Sequence, residues 1–173
     1  AGLLATFVFI SNLLGVLASY ISKFAVAKLG AKNTVVYSYI FMAVGMFVAY
    51  FVYSQTWTVI TLMCLVVFAL FITNACEPEL FATCAAYSNY KTGHDATGTI
   101  MGLLTVPVKI GIITRGILIS VSLAIGGFSA DIDPAYATVE LQKGISIGFM
   151  VIPAVAILIG AVVLIFGYRL SNE

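Results

Sequence analysis

Charge is scarce in this sequence, and its absences exclude whole classes of function. Only 9% of the 173 residues are charged, and eight basic against seven acidic side chains leave a net charge of +1. Binding to nucleic acid needs clustered Lys and Arg to meet phosphate, so no nucleic-acid partner is expected. Histidine occurs once, as His94 in "TGHDATG", where His94 and Asp95 read as a solvated pair. No His–Cys–carboxylate cluster surrounds it, so neither a catalytic nucleophile with its base nor a metal site is assembled, and the chain does not read as an enzyme. The three cysteines, Cys64, Cys76 and Cys84, have no metal-ligand or disulfide-framework spacing and read as small apolar fillers. A leader is also missing. The chain opens "AGLLATFVFISNLLGVLASYI", with no basic segment or cleavage signal, and starting inside apolar sequence it reads as a piece of a longer polypeptide.

What remains is apolar. Hydrophobic residues make up 62% of the chain, and the mean hydropathy is +1.12. Soluble domains are about half apolar and a quarter charged. The composition is that of an integral membrane protein, an all-α polytopic bundle in the lipid bilayer. A spanning helix needs about twenty apolar residues. Five segments qualify, at roughly 2–22, 34–53, 57–76, 98–127 and 144–168. Between them lie a basic connection, "SKFAVAKLGAKN", a short turn, "SQT", a long mixed connection from Glu77 to Thr97, and an acidic one, "SADIDPAYATVELQ".

Orientation follows from the basic residues. Placing the first and third connections and the C-terminus inside puts Lys23, Lys28, Lys32, Lys91 and Arg169 in the cytoplasm and leaves Lys143 outside. The first residue of the chain then faces out. Trp57, Tyr50 and Tyr53 cluster at the outer turn and Tyr168 at the inner end, as interfacial anchors do.

The fourth span departs from this pattern. "VPVKIGIITRG", residues 106–116, holds Lys109, Arg115 and Pro107. Lys109 lies eleven residues past Gly98, about 16 Å into the span at 1.5 Å per residue. A charge at that depth costs about 2.5–3.5 kcal/mol on insertion scales. Arg115 stands about 120° away around the helix and need not share a partner. Gly102, Thr105, Lys109 and Gly116 form one small, polar stripe suited to a neighbouring helix or a cavity. Pro107 removes a backbone donor, which is tolerated at membrane depth where the backbone is buried or lines water. No Asp or Glu lies near mid-span in any of the five segments. Lys109 therefore stays neutral, faces water, or meets a carboxylate on helices outside this chain.

From Pro78 onward, "PELFATCAAYSNYKTGHDATG", "VPVKIG", "IGGF", "VIPAV" and "GYRL" resemble the C-terminal part of the glycoside–pentoside–hexuronide, melibiose-permease-like, sugar–cation symporters of the major facilitator superfamily. The resemblance implies that residues 1–173 are a partial C-terminal six-helix half, helices eight to twelve of twelve, whose N-terminal half supplies the acids facing Lys109. It implies secondary active transport of a sugar or glycoside by alternating access in a bacterial cytoplasmic membrane, with H+ or Na+ as coupling ion and no other cofactor. Lys109 matches the helix-eleven lysine tied to sugar and cation binding, Thr105 and Val108 match positions lining that site, and Asn74 falls where the family has a sugar-contacting aromatic. Arg115 is a possible secondary residue with no family counterpart. Tyr87, Lys91, Thr92 and Gly93 match the inner gating loop, but the loop's acids are replaced by Thr83, Ala86 and Asn89. That loss keeps an uncoupled sugar facilitator in view, and a non-transporting half-transporter remains the third reading.

Overall fold

The computed structural model describes residues 2–125 and 139–168. Among these the chain is helical and has no strand. The helices are α1 (Gly2–Leu29), α2 (Ala31–Phe51), α3 (Thr56–Thr92), α4 (Thr97–Leu103), α5 (Thr105–Ile125), α6 (Val139–Ser146) and α7 (Ile152–Gly167), with a π-helical turn, Ile147–Val151, leading into α7. Five stretches are long and apolar enough to cross a membrane: Ala5–Leu29, Ala31–Phe51, Thr56–Thr92, Thr97–Val121 and Lys143–Gly167. The all-α, five-span expectation holds. The acidic connection lies mostly outside the described residues, as does Arg169.

Three boundaries differ from those read in the sequence, each for a local reason. The basic connection is helix almost throughout, and α1 meets α2 across Gly30 alone. Gly30 has φ 80° and ψ 156°, a conformation essentially closed to residues with a Cβ, so one glycine turns the chain where twelve residues were expected to. The mixed connection is likewise helical. Instead of stopping near Cys76, α3 runs 37 residues, about 55 Å, through Pro78 to a left-handed C-cap at Gly93. The third difference is a break in the fourth span at Leu104. Pro107 has no N–H to offer the Leu103 carbonyl, α4 ends there, and α5 restarts at Thr105.

The bundle's core lies between α2, α3 and α7, with α1 against α3. One cluster joins Ala31 and Val35 of α2 to Cys76 and Leu80 of α3, with Leu164 and Tyr168 packed on it from the α7 end. A second joins Met42 to Val66 and Ala69, with Ile157 from α7. Tyr39 packs against both clusters. Fully buried Ala18, Ala49 and Ala154 are the small contacts that let membrane helices approach. Two glycines carry the closest crossings. A Cβ at Gly45 would sit 2.8 Å from Val66 Cγ2, and one at Gly15 would sit 2.9 Å from the Phe71 ring. Large side chains such as Phe9, Trp57 and Phe166 point outward, as lipid-facing residues must. Cys76 is a core filler, as expected of it.

Candidate functional site

The α2–α3–α7 core opens at one end into a cavity of about 610 Å³. Its walls come from four regions: Val35 and Tyr39 of α2, Asn74, Glu77 and Phe81 of α3, Pro107 and Val108 of α5, and Leu164 and Tyr168 at the α7 end. Asn74, Glu77 and Phe81 stand at i, i+3 and i+7 and so share one face of α3. Pro78, next in the chain, lacks the N–H that would close the helical bond to the Asn74 carbonyl. A prolyl interruption thus falls at the cavity on both α3 and α5.

Tyr39 of α2 and Glu77 of α3 stand together on the cavity wall across the α2–α3 seam. The Tyr39 ring is held on its far side by α7, where a Cβ on Gly160 would lie 3.5 Å from Cε2. Tyr168 closes one end of the cavity. Lys32, at the start of α2, secures that end. Its Nζ donates to the Ile165 carbonyl at 3.1 Å and to the Tyr168 carbonyl, and lies 5.9 Å from the Tyr168 ring centroid. These are the exposed carbonyls of a helix C-terminus, where a cation is favoured. Lys32 is therefore a fastener between α2 and α7, where the sequence offered it only as a basic topology signal.

The residues singled out in the sequence are divided by the structure. Asn74 and Val108 come together on the cavity wall. Lys109, Thr105 and Arg115 do not line it. Thr105 donates its hydroxyl to the Gly102 carbonyl at 2.9 Å and so stitches the α4–α5 break. Lys109 and Arg115 are exposed, and among the described residues neither meets an acidic partner. Tyr87, Lys91 and Thr92 sit on the last turns of α3, not in a loop, and Gly93 ends the helix with φ 70°. Lys91 Nζ stands 5.9 Å from the Tyr87 ring centroid, and Thr92 donates to the Ser88 carbonyl at 2.8 Å. Of the positions that replace the loop acids, Thr83 bonds back to the Glu79 carbonyl at 2.9 Å.

Sequence reasoning missed Glu77 and Tyr39. It put Glu77 at the inner end of the third span, where a connection was expected to begin, and gave it no role. The available signal was Asn74 and Glu77 three residues apart with proline following, a polar pair on the face of an otherwise apolar helix.

The small-residue stripe on the fourth span is open. Nothing lies within 4 Å of a Cβ built on Gly98, Gly102, Gly111 or Gly116. None of the described side chains of α4 and α5 is buried, and the contacts of α5 are with its chain neighbours α4, α6 and the π turn.

Residues 1–172 match the family described as MFS/sugar transport protein. Comparison with curated proteins and with solved structures gave no match. With helices of spanning length throughout and a family match from end to end, this integral membrane chain belongs to the MFS/sugar transport protein family.

Proposed function

We propose that the chain is the C-terminal part of a sugar–cation symporter of the glycoside–pentoside–hexuronide type, and that the cavity walled by Asn74, Glu77, Tyr39 and Val108 is its share of the substrate path. Family membership carries the coarser statement, a membrane transporter of the sugar-transport family. The observation that supports the finer one is the cavity itself. Two residues selected by family resemblance, Asn74 on α3 and Val108 on α5, are 34 positions apart in the sequence and line the same space. A cavity of about 610 Å³ lies in the usual range for small-molecule sites.

The proposed mechanism is alternating access, in which two halves move around a central site. Lys109 follows the cavity-lining pair Pro107 and Val108, is exposed and does not itself line the cavity. Its open stripe, Gly102, Thr105, Lys109 and Gly116, would take helices of the N-terminal half, whose carboxylates pair with the ammonium. A coupling proton or sodium ion competes for those carboxylates and so couples ion binding to that pairing. Lys23, Lys28, Lys32 and Lys91 put the Tyr168 end of the cavity at the cytoplasmic side. On that orientation Trp57 marks the outer interface, and Glu77, twenty residues along α3, lies about 30 Å deeper, near the inner edge of the hydrocarbon.

A second reading, an uncoupled facilitator, is favoured by one observation: Thr83, Ala86 and Asn89 stand where the family's gating loop carries acids. The experiment is uptake by the native full-length protein in proteoliposomes. Symport predicts accumulation above the external concentration that collapses when ionophores dissipate the ion gradients. Equilibration unaffected by ionophores identifies the facilitator, and no sugar-dependent flux overturns both readings.

A further inference from the structure

A second concavity lies away from the proposed substrate path. It is a groove of about 440 Å³ walled by α1, α2 and α3, with no residue from α5 or α7. Its floor is buried, made by Thr34 and Ser38 of α2 and Ala69 of α3. Its rim is exposed: Leu29 of α1, Tyr37 and Phe41 of α2, and Leu65 of α3. Thr34 has committed its hydroxyl to the Gly30 carbonyl at 2.8 Å. The walls are otherwise mostly hydrocarbon, which suits an apolar occupant and not a sugar.

The groove begins where two spans meet. Ala5–Leu29 and Ala31–Phe51 join at Gly30, which puts this end at a membrane interface. From Thr34 to Phe41 the groove follows α2 for seven residues, about 10 Å into the bilayer. α1 and α2 share few contacts with each other, and each packs chiefly on α3, so the cleft between them is floored by α3 and open to the side. A volume of about 440 Å³ along about 10 Å leaves a mean section of about 44 Å². A helix is about 10–12 Å across with its side chains and does not enter so narrow a slot, whereas a flexible hydrocarbon chain does.

Charge at the mouth decides what head that chain carries. Lys23, Lys28 and Lys32 fall within ten residues around the turn, and no acid precedes Glu77 in the chain. Glu77 itself lines the other cavity. Lys32 is engaged by carbonyls at the end of α7. Lys28 follows groove-lining Ala25 by three residues and directly precedes groove-lining Leu29; it is exposed and meets no acidic partner among the described residues. A basic side chain at the mouth of a pocket between membrane helices favours an anionic lipid headgroup.

We propose that the α1–α2–α3 groove binds an anionic phospholipid, with one acyl chain between Tyr37, Phe41 and Leu65 and the headgroup phosphate paired with Lys28. Such binding is independent of the transport reading. A convex helix face touches a lipid chain on one side. A groove with walls from three helices surrounds it, and dispersion attraction grows with the number of contacts. Lys28 then separates anionic from zwitterionic lipid by about fivefold.

The test places the native full-length protein in phosphatidylcholine vesicles containing a small fraction of phosphatidylglycerol with a diazirine on its acyl chain. Irradiation is followed by mass-spectrometric mapping of the labelled residues. Labelling should concentrate on Tyr37, Phe41, Leu65 and Phe68, and unlabelled phosphatidylglycerol should compete for it where added phosphatidylcholine does not. Lys28→Gln should weaken that competition about fivefold. Lys23→Gln removes an equal charge about 160° from Ala25 around α1 and should change it less than twofold. Ala25→Phe, which fills the groove, should remove the labelling altogether; if that variant does not fold, Lys28→Gln still decides. Labelling spread evenly over the lipid-facing residues means ordinary boundary lipid and overturns the proposal. Equal competition by the two lipids overturns it as well, as does a groove that never labels because another helix or a second copy of the chain covers it.

Discussion

The two halves of this bundle use the same residue types to opposite ends. In the α1–α2–α3–α7 core, glycines are contact points: Gly45 meets Val66 and Gly15 meets Phe71 below ordinary van der Waals distance of an added Cβ. In the α4–α5 arm, Gly98, Gly102, Gly111 and Gly116 face open space. The lysines divide in the same way. Lys32 has two carbonyls and an aromatic ring, while Lys109 has no acidic partner among the described residues. The core closes on its glycines and engages Lys32, though Ser11 Oγ on α1 stays buried without a hydrogen-bond partner among the described residues. The arm bonds its hydroxyls to its own carbonyls but leaves its glycines and Lys109 uncovered, the arrangement that the proposed pairing with further helices would close.

The largest effect expected from breaking this contrast is at Lys109. If its ammonium pairs with carboxylates of the other half, Lys109→Ala leaves those acids uncompensated, a loss of about 3–5 kcal/mol for a buried pair. Ion-driven accumulation by the full-length protein should then fall about 100-fold or more, with folding yield largely kept. Unchanged accumulation in the variant would show that the open lysine is not waiting for a partner.

Second comes a paired substitution at glycines. Gly45→Val forces a branched side chain onto Val66 at the α2–α3 crossing and should cost about 1–3 kcal/mol, read as a lower thermal midpoint in detergent. Gly116→Ala meets nothing in this bundle, and alanine is the better helix former by about 1 kcal/mol. Equal destabilisation at the two sites would erase the distinction between core and arm.

Third is the Lys32 fastener. Lys32→Ala removes charge-assisted bonds to two α7 carbonyls and should cost about 1–2 kcal/mol, with faster proteolysis near Tyr168 as the local readout. Lys32→Arg keeps a cation there and should recover part of the loss.

The smallest effect sits between α3 and α4. Asp95 accepts a hydrogen bond from the Thr97 N–H at 2.9 Å, and bonding to Thr97 holds its carboxyl below the ordinary value of 3.8. Because the folded value is depressed, the contribution is present at neutral pH and is lost as pH falls through that value. Asp95→Ala should raise hydrogen exchange at Thr97 at neutral pH while leaving transport within about twofold.

The sequence made the bundle legible because its signal is additive: twenty apolar residues summed give a span whatever they pack against, and all five were found. It failed at boundaries, where single residues decide. Gly30 alone turns α1 into α2, so a twelve-residue connection dissolved into helix. Pro78 was expected to lie in a connection, yet α3 passes through it, since the loss of one backbone bond is absorbed by the helix on either side. That error hid Glu77. The site was legible where family resemblance could reach it, at Asn74 and Val108, and hidden where only tertiary structure defines it, as with Tyr39 and Glu77 brought to one wall from two helices. The stripe through Lys109 was read from its spacing, but among the described residues no acidic group meets it.

The most direct measurement is substrate protection of the cavity wall. With Cys64, Cys76 and Cys84 first replaced, Asn74→Cys and Val108→Cys would each be labelled with a hydrophilic maleimide in the native full-length protein, with and without saturating transported sugar. The account predicts that both cysteines label and that sugar slows labelling at both, because α3 and α5 line one substrate path. Labelling that is indifferent to sugar at both positions, in variants that still transport, would contradict it.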